Sequence, residues 1–65
     1  MRITVNGESH EVDAVDLAEA IERLGYADAK VATALNGDFV PARARGTTPI
    51  ADGDRIEILA PRQGG

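Results

Sequence analysis

The stretch Arg55-Ile56-Glu57-Ile58-Leu59-Ala60-Pro61-Arg62-Gln63-Gly64-Gly65 joins an alternating segment to a terminal pair of glycines. The two isoleucines fall on one side of the segment and the charged residues on the other, which is the period-two pattern of a half-buried β-strand. Pro61 has no N–H group, so sheet pairing is expected to end there. The sequence therefore predicts a folded domain over residues 1–59 and a flexible arm over residues 60–65.

The predicted arm is long enough to enter another protein's active site. Six extended residues span roughly 20 Å, at about 3.3–3.6 Å each. Gly64 and Gly65 have no Cβ atoms, so this end of the arm suits a narrow channel. The same dipeptide also fits an ordinary frayed chain end. Evidence from the rest of the sequence is needed to distinguish a functional arm from a frayed end.

Two β-hairpins are predicted upstream. Residues 1–5 and 8–12 flank Asn6-Gly7, and residues 31–35 and 38–40 flank Asn36-Gly37. Asn-Gly is the strongest short hairpin signal, because a type I′ turn needs positive φ at both central residues. Residues 42–48 are predicted to form a loop before the last strand.

One helix is predicted between the hairpins, over residues 14–24. Leu17, Ile21 and Leu24 repeat at helical spacing. Asp13 is the expected N-cap, with Asp16 as the acidic member of a capping box, and Gly25 is expected to end the helix.

The predicted order β-β-α-β-β-loop-β is that of a β-grasp, an α+β fold in which a mixed sheet wraps around one helix. Its first and last strands are expected to lie parallel at the middle of the sheet. The expected core consists of Ile3, Val5, Leu17, Ile21, Leu24, Val31, Leu35, Val40, Ile50, Ile56 and Ile58.

Composition disfavours several classes of function. A chain of 65 residues buries only about 60% of its unfolded surface, and Tyr26 and Phe39 are its only aromatic residues. The small aliphatic core leaves little room for an enzyme pocket of about 300–1,000 Å³. The absence of cysteine excludes disulfides, thiolate metal sites and a cysteine nucleophile, so any sulfur chemistry has to occur at another group.

Charge and hydropathy indicate the expected surroundings. The net charge of −4 and the pI of about 4.7 disfavour nucleic acid and anionic membranes, and suit a partner with a basic docking face. No signal peptide is apparent, and no apolar run approaches the roughly 20 residues of a membrane span. A soluble cytoplasmic protein is expected.

Three segments together resemble one family. Residues 34–41, Ala34-Leu35-Asn36-Gly37-Asp38-Phe39-Val40-Pro41, are followed by Asp52-Gly53-Asp54-Arg55-Ile56-Glu57-Ile58 and by the terminal Gln63-Gly64-Gly65. The turn sequences are generic individually, but their spacing together with the Gly-Gly end is specific. The chain resembles the ThiS family, the ubiquitin-like β-grasp sulfur carriers of thiamine biosynthesis, over essentially its whole length.

The resemblance implies a carrier rather than an enzyme. An E1-like (ThiF-like) adenylating enzyme would use ATP and Mg²⁺ to activate the Gly65 carboxylate. A persulfide from a cysteine desulfurase or sulfurtransferase system would then convert it to a thiocarboxylate, which would donate sulfur to a ThiG-like thiazole synthase. The chain itself has no glycine-rich phosphate loop, so no cofactor is expected to bind it, and no metal site is expected.

The resemblance also assigns roles within the arm. Gly65 would carry the reacting group, Gly64 would give clearance in the channel, and Gln63 and Arg62 would contact its wall. Relatives often have Val-Pro-Arg and then a polar pair and a Trp-like residue, whereas this chain continues from Pro41 into residues 42–46, Ala-Arg-Ala-Arg-Gly. Either arginine in this segment, Arg43 or Arg45, is a candidate substitute for docking.

Leu59 is a further candidate docking residue. If Ile56 and Ile58 face the core, Leu59 projects from the opposite face of the sheet, next to the arm. Together with Phe39 or Leu35 it would form an exposed apolar patch. The alternative is that Leu59 merely covers the edge of the sheet.

Three other functions compete with thiamine sulfur transfer. A molybdopterin-synthase small-subunit-like carrier shares the fold and the Gly-Gly end, although such relatives are usually longer. A ubiquitin-like modifier would form isopeptide bonds with lysines of target proteins. A non-covalent interaction module would bind its partners without using the C-terminal glycines.

Overall fold

A five-stranded mixed sheet forms the framework of the domain. The computed structural model describes residues 1–27 and 30–60. The strands follow the order β2-β1-β5-β3-β4 across the sheet. Their bounds are β1 (Arg2–Val5), β2 (Glu8–Glu11), β3 (Ala32–Leu35), β4 (Asp38–Val40) and β5 (Arg55–Leu59).

The central pair of strands is parallel, and every other pair is antiparallel. Thr4 of β1 lies opposite Arg55 of β5, and Val5 lies opposite Ile56. β2 pairs with β1, and β3 pairs with both β5 and β4, in antiparallel register. This arrangement confirms the predicted β-grasp, including the parallel neighbours at its centre.

Both predicted hairpin turns are present. Asn6 and Asn36 each have a φ of 51°, and the glycines after them have φ values of 85° and 91°. Positive φ at both central residues is the conformation of a type I′ turn, whose twist matches that of the flanking strands.

The helix, α1 (Leu17–Arg23), begins three residues later than predicted. Its N-cap is Asp16, whose Oδ1 accepts a hydrogen bond from the Glu19 N–H at 2.8 Å. The Glu19 carboxylate reaches back and accepts from the Val15 N–H at 2.8 Å. The prediction of Asp13 as the N-cap was therefore wrong.

The C-terminal end of α1 agrees with the prediction. Gly25 has a φ of 96°, and its N–H donates to the Glu22 carbonyl at 3.1 Å. The Tyr26 N–H donates to the Ile21 carbonyl at 2.9 Å. These two bonds form a Schellman motif, which satisfies carbonyls that the end of a helix leaves without partners.

The segment predicted as a loop contains a 3₁₀ helix, Ala42–Thr47. The Thr48 hydroxyl donates to the Ala44 carbonyl at 2.7 Å, which closes the last turn. The Leu17 N–H, one of the unpaired donors at the start of α1, donates to the Thr48 carbonyl at 2.9 Å. Thr48, which follows the 3₁₀ helix, thus links this helix to α1.

The core lies between α1 and one face of the sheet. Leu24, Val31 and Leu35 are half-buried against this core, whereas the other predicted core residues are buried. Val12, Ala20 and Thr33 are also buried, although they were not predicted to be. The buried hydrophobic side chains are Ile3, Val5, Val12, Leu17, Ala20, Ile21, Val40, Ile50, Ile56 and Ile58.

No helix within the two described ranges is long and apolar enough to cross a membrane. β5 ends at Leu59, and Ala60 is the last described residue. The division into a domain and an arm at residue 60 stays a prediction.

Candidate functional site

The predicted sulfur-carrying arm falls almost entirely outside the described residues. Arg62, Gln63, Gly64 and Gly65 all lie beyond Ala60, so their predicted roles stay predictions. The candidate site that the structure describes is the surface at the end of β5, from which the chain continues toward Gly65.

An apolar patch covers the sheet face opposite α1 at this end of β5. Leu59 is 74% exposed and Phe39 is 69% exposed. Leu59 lies opposite Ala32 in the β5–β3 ladder, and Phe39 lies opposite Ala34 in the β4–β3 ladder. We call these four residues the sheet patch. Leu59 and Phe39 are thus exposed on the same face of the sheet, and their docking role stays a prediction.

Small side chains on β3 give the sheet patch its shape. Ala32 and Ala34 lie between the larger Leu59 and Phe39, and all four line a shallow depression of about 350 Å³. Alanine has only a methyl group, so the middle of the depression is low and its two larger side chains stand above it. This form suits an apolar group projecting from another protein.

Leu35 does not belong to the sheet patch. It lies opposite Ile56 in the β5–β3 ladder, and directly opposed residues share a face of the sheet. Ile56 is buried, and Leu35 is half-buried against the same core. The expected place of Leu35 in an exposed patch is therefore corrected, because alternate residues of β3 point to opposite faces.

One carboxylate lies within the depression. Glu57 is exposed on β5, lies opposite Ala34 and lines the depression beside Ile58 and Leu59. No basic side chain among residues 1–27 and 30–60 forms an ion pair with it. The surface is therefore apolar with a negative charge at one side, which complements an apolar partner surface carrying a lysine or an arginine.

The two arginines of the 3₁₀ helix have different environments. The Arg45 Nε donates to the Thr33 hydroxyl at 2.9 Å, and its Nη2 donates to the Val31 carbonyl at 2.5 Å. The Thr33 hydroxyl in turn donates to the Val40 carbonyl at 2.8 Å, which satisfies a side chain that is only 2% exposed. Arg45 thus ties the 3₁₀ helix to β3, whereas Arg43 is exposed and available for contact with a partner.

Both turn asparagines bind β5, a pair of contacts that the sequence did not predict. The Asn6 side chain hydrogen bonds to the backbone of Ile58, and the Asn36 side chain accepts from the Arg55 N–H at 2.9 Å. Their Asn-Gly sequences signalled turns, but no local pattern signals a bond to a strand some fifty or twenty residues away.

The acidic and imidazole side chains of the described ranges do not assemble a metal site. The Asp52 carboxylate accepts from the Arg2 N–H at 2.6 Å, and the Asp54 carboxylate accepts from the Ala51 N–H at 2.8 Å. Both aspartates thus serve the turn before β5. The His10 Nε2 lies 3.6 Å from Glu8 on strand β2.

The strand order and the packing of α1 on the sheet define the class of protein. A mixed sheet with parallel central strands, packed around one helix, is the fold of a ubiquitin-like β-grasp protein.

Comparison with known proteins gives the family. The sequence profile of the ThiS family matches residues 3–65, and the chain belongs to this family. It is similar to the crystal structure of a thiamine biosynthesis protein (ThiS) from Geobacter metallireducens, with 35% identity, a TM-score of 0.83 and 100% of both chains covered. It is also similar to an NMR solution structure of a thiamine biosynthesis protein from Geobacter metallireducens, with 33% identity, a TM-score of 0.81 and coverage of 100% of this chain and 88% of that one. A search among curated proteins found no significant match.

Proposed function

We propose that the chain is a sulfur carrier for the thiazole moiety of thiamine and that it acts as a protein co-substrate rather than an enzyme. The observation that carries the proposal is the match of the ThiS family along residues 3–65, which reaches the Gly-Gly pair. The similar crystal structure, which aligns with this chain over 100% of both chains, is that of a thiamine biosynthesis protein.

The chemistry begins at the Gly65 carboxylate. A carboxylate is a poor electrophile until one of its oxygens becomes part of a good leaving group. In the proposed first step, this carboxylate attacks the α-phosphate of ATP, pyrophosphate leaves, and an acyl-adenylate forms. ATP and Mg²⁺ are bound by a ThiF-like adenylating enzyme, in whose site Mg²⁺ offsets the charge of the phosphates.

Sulfur enters in the second step. A persulfide supplied by a cysteine desulfurase or sulfurtransferase attacks the acyl carbon, and AMP leaves. A second thiol then cleaves the S–S bond of the resulting acyl disulfide, which releases the thiocarboxylate at Gly65. This thiocarboxylate transfers its sulfur to the substrate of a ThiG-like thiazole synthase. The absence of cysteine from the chain is consistent with a carrier whose sulfur is held at the terminal carbonyl carbon.

In the proposed complex, the arm and the sheet patch contact different parts of the adenylating enzyme. Gly64 allows the terminus to lie in a narrow channel, and Gln63 and Arg62 make polar contacts along it. Leu59 and Phe39 dock the folded domain outside the channel. Burial of apolar surface contributes about 25 cal/mol per Å², so burying side chains as exposed as these two stabilises a complex without any change of fold.

Growth of the protein's own host tests the proposal. Deletion of the gene is expected to create a requirement for thiamine that the thiazole moiety alone relieves. Return of the wild-type gene should remove this requirement, whereas a variant without Gly64 and Gly65 should not. Thermal unfolding of the purified variant checks that its fold is intact.

Two outcomes of this experiment would overturn the proposal. A requirement for the molybdenum cofactor in place of thiamine would indicate a molybdopterin-type carrier. Full rescue by the truncated variant would indicate a binding module that does not use its C-terminus.

A further inference from the structure

The Asn6 side chain binds both polar groups of the Ile58 backbone. Its Oδ1 accepts from the Ile58 N–H at 2.8 Å, and its Nδ2 donates to the Ile58 carbonyl at 3.0 Å. The backbone N–H of Asn6 donates to the Ile56 carbonyl at 2.9 Å. Three hydrogen bonds therefore join this one turn residue to β5.

These bonds continue the central strand pairing beyond the end of β1. The parallel register of β1 and β5 stops at Val5 opposite Ile56, because the chain then turns at Asn6-Gly7. On this side of β5, no strand of the described residues pairs with Ile58. A primary amide has the donor and the acceptor of a peptide group, so the Asn6 side chain takes the place of the missing strand.

The other side of β5 is paired to its last residue. Leu59 lies opposite Ala32 and Ile58 lies opposite Thr33 in the β5–β3 ladder. With Asn6 in place, β5 is held from both sides up to Ile58, two residues before Ala60. Without it, Ile58 and Leu59 would be held by β3 alone.

We propose that Asn6 is a positioning residue that fixes where and in which direction the chain leaves the sheet toward Gly65. This inference rests on the proposed function, in which the Gly65 carboxylate has to reach ATP in an adenylating enzyme. Reactions of positioned groups are sensitive to geometry, and a misplacement of about 1 Å costs on the order of 100-fold in rate. The arm has a fixed number of residues, so the point and direction at which it leaves β5 limit where the Gly65 carboxylate can reach while the domain is docked.

Asn36 provides a matched control within the same chain. It has the same φ of 51°, also precedes a glycine, and also binds β5 through its side chain. Its Oδ1 accepts from the Arg55 N–H at 2.9 Å, and its Nδ2 donates to the Asp54 carboxylate at 3.1 Å. The Asn36 side chain thus binds the start of β5, whereas the Asn6 side chain binds the end of β5 that leads to the arm.

Substitution by glycine separates positioning from turn formation. Glycine tolerates positive φ, so Asn6→Gly and Asn36→Gly both remove the amide without straining the turn. We expect both variants to fold, with similar decreases in Tm of the order of 5 °C. Asn6→Asp is a second variant, which keeps the acceptor for the Ile58 N–H but places a carboxylate oxygen against its carbonyl.

Hydrogen exchange on the free protein tests the structural part. Leu59 is the readout, because Asn6 makes no hydrogen bond to it. We expect Asn6→Gly to speed exchange of the Leu59 amide about tenfold and Asn36→Gly to leave it within about twofold of the wild type, since local opening sets such rates. Unchanged Leu59 exchange in Asn6→Gly and Asn6→Asp would overturn the proposal.

Adenylation kinetics with the host's own adenylating enzyme test the functional part. We expect kcat for Asn6→Gly to fall about tenfold while KM for the carrier changes less than about threefold, because the arm rather than the docking surface is disturbed. Asn36→Gly should retain kcat within about twofold. Equal kcat in all three proteins, or equal losses in the two glycine variants, would overturn the positioning role alone. An inactive wild-type chain would overturn the proposed function and this inference with it.

Discussion

Leu59 lies directly opposite Ala32 across the β5–β3 ladder, and the small alanine leaves the leucine side chain 74% exposed. A large apolar side chain is thereby held on a rigid strand, one residue before Ala60. Because the backbone of Leu59 is already ordered in the sheet, a partner that covers this residue has to order only its side chain. The position is therefore suited to an anchor for a protein that also receives the arm.

Replacing Leu59 by aspartate is expected to weaken binding to the adenylating enzyme at least tenfold, equivalent to about 1.4 kcal/mol, because a buried apolar contact is lost and a charge has to be desolvated. Calorimetric titration measures the change. Val15→Asp is the control, since Val15 is 72% exposed but lies beside α1, away from the sheet patch. Equal weakening by both substitutions, or a matching loss of thermal stability in Leu59→Asp, would contradict the docking role.

Replacing Arg45 by alanine is expected to lower the free energy of unfolding by about 2 kcal/mol. The change removes two hydrogen bonds from a charged donor and the apolar stem of the arginine. Urea unfolding measures the difference. Arg43→Ala should change stability by less than about 0.5 kcal/mol, because Arg43 is exposed. Similar losses in the two variants would show that Arg45 does not hold the 3₁₀ helix to β3.

The two aspartates near the start of α1 are expected to contribute differently to stability. Asp16→Ala is expected to cost about 1 kcal/mol of stability, because the Glu19 N–H loses its acceptor at the N-terminus of the helix. Asp13 is 97% exposed, and its carboxylate lies 3.5 Å from the Met1 amino group. Asp13→Ala should therefore have the smaller effect in thermal unfolding at neutral pH. A reversed order would place the N-cap at Asp13, as the sequence suggested.

The N-terminal amino group of Met1, when it carries no modification, makes the stability of the fold depend on pH. A hydrogen bond from this group to the Glu11 carboxylate, at 3.1 Å, raises its pKa above the ordinary value of 8.0, and the charges of Glu11 and Asp13 act in the same direction against the effect of burial. A raised pKa in the folded state means that the protonated form stabilises the fold. This contribution is fully present below pH 8 and is lost as the pH rises through the folded-state pKa.

Chemical unfolding between pH 7 and pH 10 measures this contribution. We expect the wild type to lose stability over this interval and Glu11→Ala to lose less, because the principal partner of the amino group is gone. The same dependence on pH in the variant would assign it to other groups.

Sequence periodicity predicted β1, β5 and α1 because each of these elements has one buried face. Ile56 and Ile58 recur every second residue, and Leu17 and Ile21 are separated by one helical turn; these four side chains are all buried. The hairpins were predictable for a local reason, since Asn-Gly favours positive φ in both turns.

Features that depend on distant contacts were not predictable. Both Asp13 and Asp16 are good capping residues. The helix begins after Asp16, where the Leu17 N–H donates to the carbonyl of Thr48, a residue that is distant in sequence. Residues 31–35 looked apolar on both faces, so the pattern did not show that Leu35 faces the core while Ala32 and Ala34 form the outer surface.

The same holds for the polar contacts around β5 and the 3₁₀ helix. The bond from Asn6 to Ile58 joins residues 52 positions apart, and that from Arg45 to Thr33 joins residues 12 positions apart. Such pairs become neighbours only when the sheet has formed. The proposed chemistry of Gly65 rests on the family resemblance, since the described residues end at Ala60.

Intact mass of the protein tests the central claim most directly. The chain would be incubated with ATP, Mg²⁺, a sulfide source and the host's own adenylating enzyme. We expect a mass increase equal to replacement of one oxygen by sulfur, located at Gly65 by fragmentation and absent from a variant lacking that residue. An unchanged mass, with the enzyme shown to be active on another carrier, would contradict the assignment of the chain as a sulfur carrier.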